Sequence, residues 1–145
     1  MITFAKKVFM KISQINHLLS VCRELAEQDK LPISYAIARN LALLEPISFN
    51  ASKELFDVVR KYATKDENGA PKVLPNRPGN NFIDFEYGDQ VEHAVAEYEA
   101  IQSREVSIDL YQANIMVSKQ YLDSNPKAKY LTVLLECNVI QDVAE

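Results

Sequence analysis

The chain has 145 residues, of which 48% are apolar and 25% are charged, the usual composition of a folded globular protein. Its net charge is −4 and its basic residues are scattered, which disfavours direct nucleic-acid binding because a phosphate-tracking surface needs clustered Lys and Arg. No apolar run approaches the ~18 residues of a membrane span. Cys22 and Cys137 are too few for a disulfide-stapled secreted domain. We therefore expect a single domain over residues 1–145 in a reducing, cytoplasmic compartment, with no membrane association.

The first residues give a weak strand signal. Residues 1–9 continue no periodic pattern, and Met10 would serve as well as Met1 as a beginning, so this segment is a candidate disordered extension. Alternation of apolar residues from Val8 to Ile12 favours a short strand.

A helical hairpin is predicted next. Ser13 has the side chain of an N-cap, and apolar residues recur at helical spacing up to Ala26, with an end expected near Asp29. A second helical stripe covers residues 33–62, including Ser48 and Ser52, and crosses Pro46. We expect one helix kinked at this proline, or two helices that meet there.

The main loop follows the hairpin. Residues 65–81 are rich in proline and glycine, and the pair Asn68-Gly69 favours a tight turn with a positive φ. Residues 72–74 and 82–87 flank its end and are predicted to be short strands, the second with Ile83, Phe85 and Tyr87 on one face.

The acidic residues that come next mark a helix. Asp89 and Glu92 have the spacing of a capping box, and Val91, Ala94, Val95, Tyr98 and Ile101 follow at helical spacing, so a helix is predicted over residues 90–103. Alternation over residues 106–110 predicts a half-buried strand.

Further helical pieces are predicted near residues 113–122 and after Pro126. Together these elements predict a helix-rich α+β fold, in which a long kinked helical hairpin packs with a small β-sheet and further short helices.

Catalytic and metal-binding patterns are incomplete. His17 and His93 lie far apart in the sequence, no His-Glu-x-x-His or paired Cys-x-x-Cys motif occurs, and three glycines leave no phosphate-binding loop. Cys22 and Cys137 fall among apolar residues and are expected to be core residues. We therefore expect no catalytic residues, no metal site and no cofactor.

Two candidate binding sites remain. The loop offers Asn76, Arg77, Asn80 and Asn81, because arginine pairs with phosphate or carboxylate and asparagine both donates and accepts hydrogen bonds. The alternative for this loop is a solvated connection.

The second candidate is the acidic segment. Residues 84–109 contain eight acidic residues against Arg104 alone, and Glu92, Glu97 and Glu99 are the candidate interface for a basic partner. The alternative is an ordinary solvated helix face.

Three stretches also carry a resemblance. Residues 31–46, Val59-Arg-Lys-Tyr-Ala-Thr-Lys-Asp-Glu-Asn-Gly69 and Glu105-Val-Ser-Ile-Asp-Leu110 resemble a group of small proteins of tailed phages and prophages with no assigned activity. These combine a helical hairpin with a Lys-Asp-Glu-Asn-Gly turn and a later strand. The resemblance spans residues 10–115 and implies a phage accessory protein, but it assigns no functional residues.

Three functions stay open on the sequence. The first is a non-enzymatic binder in the bacterial host cytoplasm, which inhibits antiviral defence by binding a host defence protein or by sequestering a small nucleotide. The second is a virion or assembly component whose hairpin stripe packs against copies of itself, and a homo-oligomer is expected. The third is a small enzyme with an unrecognised carboxylate site.

Overall fold

The computed structural model describes residues 2–26, 34–114, 117–118 and 143–144. Its elements in chain order are strand β1 (Ile2–Lys11), helices α1 (Ile12–Ala26), α2 (Ser34–Tyr62) and α3 (Val91–Gln102), and strands β2 (Glu105–Asn114), β3 (Val117–Ser118) and β4 (Val143–Ala144). The predicted helix-rich α+β class is confirmed. Within these residues, no helix is both long and apolar enough to cross a membrane.

Three predictions lie outside the described residues. They concern the end of the first helix near Asp29, the helical piece after Pro126 and the surroundings of Cys137.

The chain forms two compact units. One comprises residues 1–47 and 105–145, and the other comprises residues 48–104. Helix α2 contributes residues to both units, and Pro46 lies inside it, so one continuous helix occupies the segment for which two were an alternative. The single domain over residues 1–145 stays a prediction.

The first unit contains an antiparallel pair of strands. β1 pairs with β2 over ten residues, from Ile2 opposite Asn114 to Lys11 opposite Glu105. Residues 2–9, the candidate disordered extension, thus lie within a strand because each has a partner in β2.

The two faces of this sheet differ in burial, as the alternation of apolar and polar residues in β2 predicted. Ile108 and Leu110 are buried, whereas Ser107 and Asp109 are exposed. Since side chains alternate across a strand, this pattern gives the sheet one face in the core and one in solvent.

Helix α1 begins one residue before the predicted cap. Ser13 lies inside the helix, and the main-chain N–H of Lys11 donates to Gln14 Oε1 at 2.9 Å, so Gln14 rather than Ser13 satisfies a donor at this end. Seven residues form the buried face, Ile12, Ile15, Leu18, Leu19, Val21, Cys22 and Leu25. Cys22 is buried, as expected from its position on the stripe.

Helix α2 is attached to β2 by a buried amide. The Asn40 side chain donates from Nδ2 to the Tyr111 carbonyl at 2.9 Å and accepts from the Tyr111 N–H at Oδ1 at 2.8 Å. One side chain thereby satisfies both main-chain groups of a strand residue, which accounts for an asparagine that is fully buried.

The predicted stripe of α2 holds only in part in the second unit. Val59 is buried, as its place in the stripe predicts, but Ser52 is exposed, and Ala51 and Val58, which lie outside the stripe, are buried. The small Ala51 side chain allows close packing at a position that an apolar pattern based on large residues passes over.

The predicted strands around the main loop are wrong. Residues 72–74 and 82–87 are reduced to an isolated bridge between Val73 and Phe85, and Phe82–Asp84 form a 3-10 helix. The predicted turn is confirmed, because Gly69 has φ of 80° and the Asp66 carboxylate accepts hydrogen bonds from the N–H groups of Asn68 and Ala70.

Helix α3 confirms the prediction of a helix near residues 90–103, but its capping box does not form. Asp89 lies inside a short 3-10 helix, Gly88–Gln90, and Gln90 occupies the cap position without a side-chain hydrogen bond. A residue already within a helical turn cannot cap the helix that follows.

The helix predicted near residues 113–122 is also wrong where the structure describes it. Ala113 and Asn114 continue β2, and β3 pairs in parallel with β4.

The second unit has an aromatic core. Phe82 stacks on Tyr87 and on Tyr98, with ring centroids 4.7 Å and 4.4 Å apart, and the Tyr87 hydroxyl donates to the Phe82 carbonyl at 2.6 Å. Burial raises the pKa of Tyr87 to about 12, with a smaller contribution from Asp84. Each aromatic pair contributes about 0.5–1.5 kcal/mol beyond area burial.

Candidate functional site

The loop candidate is organised around a buried carboxylate. Asp84 is 2% exposed, and its Oδ2 accepts hydrogen bonds from the N–H groups of Asn80 at 3.2 Å and Asn81 at 3.0 Å. Arg77 Nη1 lies 3.9 Å from Asp84 Oδ1. A buried charge needs such partners, because leaving one unpaired costs several kcal/mol.

The structure therefore brings three of the four loop residues to one place, around the Asp84 carboxylate. The guanidinium of Arg77 and the main-chain N–H groups of Asn80 and Asn81 serve Asp84. Asn76 adopts a positive φ of 62° and lies next to Arg77 in the turn. All four residues stay exposed, but two main-chain N–H groups and Nη1 of Arg77 already face a carboxylate of the same chain.

The acidic candidate has a different geometry. Glu92 and Glu99 lie on the outward side of α3 and line an open groove of about 340 Å³ together with Val91, Val95 and Ala96. Val91 is 46% exposed, although it belonged to the helical stripe that predicts burial. The groove thus has apolar lining between two carboxylates that stand seven residues apart.

The third predicted interface residue, Glu97, faces α2. Its Oε1 lies 3.1 Å from Lys61 Nζ, and the Tyr62 hydroxyl together with the Lys61 ammonium holds the pKa of the Glu97 carboxyl below its usual value. Glu97 is therefore paired within the protein, while Glu92 and Glu99 form no ion pair in the part of the chain that the structure describes.

Other acidic residues of the second unit are also compensated. Glu86 Oε2 lies 3.2 Å from Lys72 Nζ, and Glu54 receives two hydrogen bonds from Arg104, at 3.1 Å and 2.6 Å. The hydrogen bonds from Arg104 lower the pKa of Glu54. Unlike these paired acids, Glu92 and Glu99 have no basic side chain within ion-pair distance among the described residues. The number of acidic residues in the sequence does not reveal this difference.

The apolar part of the groove is what sequence reasoning missed. Val91, Val95 and Ala96 were available as a signal, because the apolar positions of this helix span more of its circumference than one buried face needs.

Both histidines are exposed. His17 lies on α1, and the His93 ring stacks on Tyr62 with centroids 6.2 Å apart. Among the side chains that are described, no group of three or more His, Cys, Asp or Glu residues is arranged to hold a metal ion.

Comparison with known proteins adds no relative. No protein-family model, no curated protein and no solved structure matches this chain.

Proposed function

We propose that the protein is a non-enzymatic binding protein that recognises a basic, partly apolar segment of another protein through the outward face of α3. The observation that carries the proposal is the groove of Val91, Val95 and Ala96, flanked by the carboxylates of Glu92 and Glu99, which form no ion pair with any residue that the structure describes. Apolar contact supplies affinity, and the two carboxylates supply orientation and faster association with a basic partner.

The position of Glu99 supports a role outside the fold. It lies in the last turn of α3, where no basic residue is present and where the helix dipole disfavours a negative charge. A carboxylate at this position does not stabilise the helix. Contact with a bound partner therefore accounts for Glu99 better than a role in the fold does.

The spacing specifies the partner. Seven residues of α-helix at about 1.5 Å per residue separate the two carboxylates by about 10 Å along the helix. A complementary segment carries two Lys or Arg side chains at that separation with an apolar side chain between them, which an amphipathic helix provides at positions i, i+4 and i+7.

The resemblance to small phage proteins suggests where this partner is found. We propose a host antiviral-defence protein in the bacterial cytoplasm as the molecule that is bound and blocked. Sequestration of a small nucleotide is less well supported, because Arg77 and the N–H groups of Asn80 and Asn81 already bind Asp84.

A peptide titration tests the docking face. We expect a helical peptide with Lys at positions i and i+7 and Leu at i+4 to bind the full chain in isothermal titration calorimetry. Glu92→Lys and Glu99→Lys should each weaken binding about tenfold or more, because each replaces an attraction by a repulsion. Glu67→Lys is the matched control, since it makes the same charge change at an exposed turn residue. Equal affinity for all three variants would remove the α3 face as the site.

A cell assay tests whether the protein blocks host antiviral defence. Expression of the wild-type chain in a host with an active defence system should raise the plating efficiency of a restricted phage, and Glu99→Lys should abolish this effect while Glu67→Lys retains it. Thermal-shift screening with cyclic nucleotides tests the alternative, since a ligand at 100 times its Kd stabilises by about 2.7 kcal/mol. A shift that Arg77→Ala abolishes would replace our proposal with nucleotide sequestration.

A further inference from the structure

The solvent-facing side of the β1–β2 sheet carries a second ordered pattern of charge. On this side, β1 presents Lys7, Phe9 and Lys11, and β2 presents Glu105, Ser107 and Asp109. All six residues are exposed, and Phe9 is 70% exposed, the largest exposed fraction among the large apolar residues described.

The register places these residues in two rows of opposite charge. Lys7 lies opposite Asp109, and Lys11 lies opposite Glu105, so the β1 row is basic and the β2 row is acidic. None of these four side chains forms an ion pair within the ranges that the structure describes. The charges are therefore available to a molecule that stacks on the sheet.

We propose that this face is the interface of a weak homodimer, in which a second copy stacks face to face about a twofold axis parallel to the strands. Rotation about that axis exchanges the two rows, so that β1 of one protomer lies over β2 of its partner. Each Lys7 then faces an Asp109, each Lys11 faces a Glu105, and the two Phe9 rings lie side by side at the centre.

Charge selects this axis over the other twofold arrangement. A twofold axis across the strands would place β1 over β1, bringing lysines over lysines and acids over acids. Like charges placed directly opposite one another destabilise a pairing, and the axis along the strands avoids them completely.

The size of the face sets the strength of the dimer. Residues 5–11 span about 20 Å of strand, and two strands with their side chains are about 10 Å wide. This area is well below the ~800 Å² per partner of a standard interface, so the dimer is expected only at high protein concentration and weakens as salt screens its ion pairs.

Sedimentation velocity of the full chain tests the dimer. We expect the sedimentation coefficient to rise with protein concentration at about 0.1 M salt, and to rise less at about 1 M salt, where the screening length falls from ~10 Å to ~3 Å. A chain that is monomeric at every concentration in low salt overturns the proposal.

Charge reversal identifies the surface. Lys7→Glu and Asp109→Lys should each weaken dimerisation about tenfold or more, because the symmetry repeats each repulsion twice. Lys6→Glu is the matched control, since it makes the same change on the same strand but on the opposite face of the sheet. If Lys6→Glu weakens the dimer as much as Lys7→Glu does, the proposed face is wrong.

Mixing the two variants gives the sharpest result. In an equimolar mixture, the Glu at position 7 of one chain would face the Lys at position 109 of the other, and the unchanged Lys7 would face the unchanged Asp109. The mixture should therefore form a heterodimer more tightly than either variant dimerises alone. The double variant Lys7→Glu/Asp109→Lys restores every pair and should dimerise like the wild type, which checks that the substitutions leave the fold intact. A mixture that stays monomeric while the wild type dimerises overturns the face-to-face arrangement. The arrangement is also overturned if this face of the monomeric chain binds a different molecule, acidic or basic, in place of a second copy.

Discussion

The loop around Asp84 and the outward face of α3 are both rich in polar residues. In the loop these residues contact one another, whereas on α3 they face solvent. In the loop, two main-chain N–H groups donate to a carboxylate that is 2% exposed, and Arg77 Nη1 lies 3.9 Å from it. On α3, Glu92 and Glu99 turn outward beside exposed apolar residues. Polar composition alone does not distinguish polar residues that stabilise the fold from polar residues that remain available to a partner. What separates them is whether each charge has a partner within the chain.

The largest expected effect breaks the loop side of this comparison. Asp84→Ala should lower the free energy of unfolding by about 3 kcal/mol, because the groups that it holds lose a buried, charged acceptor. Urea denaturation of the variant measures this loss. Glu67→Ala is the control at an exposed position and should change stability by less than about 0.5 kcal/mol. Equal stability of the two variants would mean that Asp84 does not organise the loop.

The glycines of the loop provide the next test. Gly79 and Gly69 share φ of 80°, but a Cβ at Gly79 would lie 3.0 Å from Val73 Cγ2, whereas one at Gly69 meets nothing within 4 Å. Gly69→Ala should cost about 1 kcal/mol for backbone strain, and Gly79→Ala about 2 kcal/mol for strain and steric overlap together. Adding Val73→Ala to Gly79→Ala should recover the difference in thermal denaturation. An equal cost at both glycines would show that Val73 moves aside freely.

A smaller effect concerns the aromatic core beneath the loop. The pKa of Tyr87 is raised to about 12 from 10.0, so the neutral hydroxyl stabilises the folded state below pH 10, and this contribution is lost as the pH rises through about 12. Tyr87→Phe should cost about 1 kcal/mol at neutral pH through loss of the hydrogen bond to the Phe82 carbonyl. Its stability should then fall less steeply than that of the wild type between pH 10 and 12. Parallel pH profiles of unfolding would contradict this assignment.

The smallest expected effect sharpens the α3 side. Glu99→Lys should leave the free energy of unfolding unchanged or raise it by up to about 0.5 kcal/mol, because a positive charge in the last helical turn suits the helix dipole. Chemical denaturation measures the change. A loss of more than 1 kcal/mol would place Glu99 among the residues that hold the fold, as Asp84 is, and would weaken its role in binding.

Periodic segments of this protein were predictable from sequence, and short polar segments were not. Helix α3 and the alternation of Ile108 and Leu110 in β2 follow from apolar spacing, because burial of one face determines both. The capping positions at Ser13 and Asp89 were misassigned, since a shift of one or two residues in a helix start changes which side chain can reach the free N–H groups.

The candidate sites follow the same division. Ile83, Phe85 and Tyr87 suggested one face of a strand, but the 3-10 helix at residues 82–84 exposes Ile83 and buries Asp84 instead. Asn81 followed three residues later by Asp84 is a helix-start spacing that could have signalled this turn. That Arg77 binds Asp84 depends on how the loop closes, and the loop sequence alone does not determine this.

The pairing of β1 with β2 also has a consequence during synthesis. About ninety residues separate the two strands, so at roughly 5–20 residues per second the ribosome releases β2 some 5–20 s after β1. During that interval β1 exposes an apolar strand with no partner, the kind of segment that pairs with other nascent chains. Lys6, Lys7 and Lys11 interrupt this strand, and we expect the repulsion between lysines of different chains to oppose such pairing until β2 is synthesised.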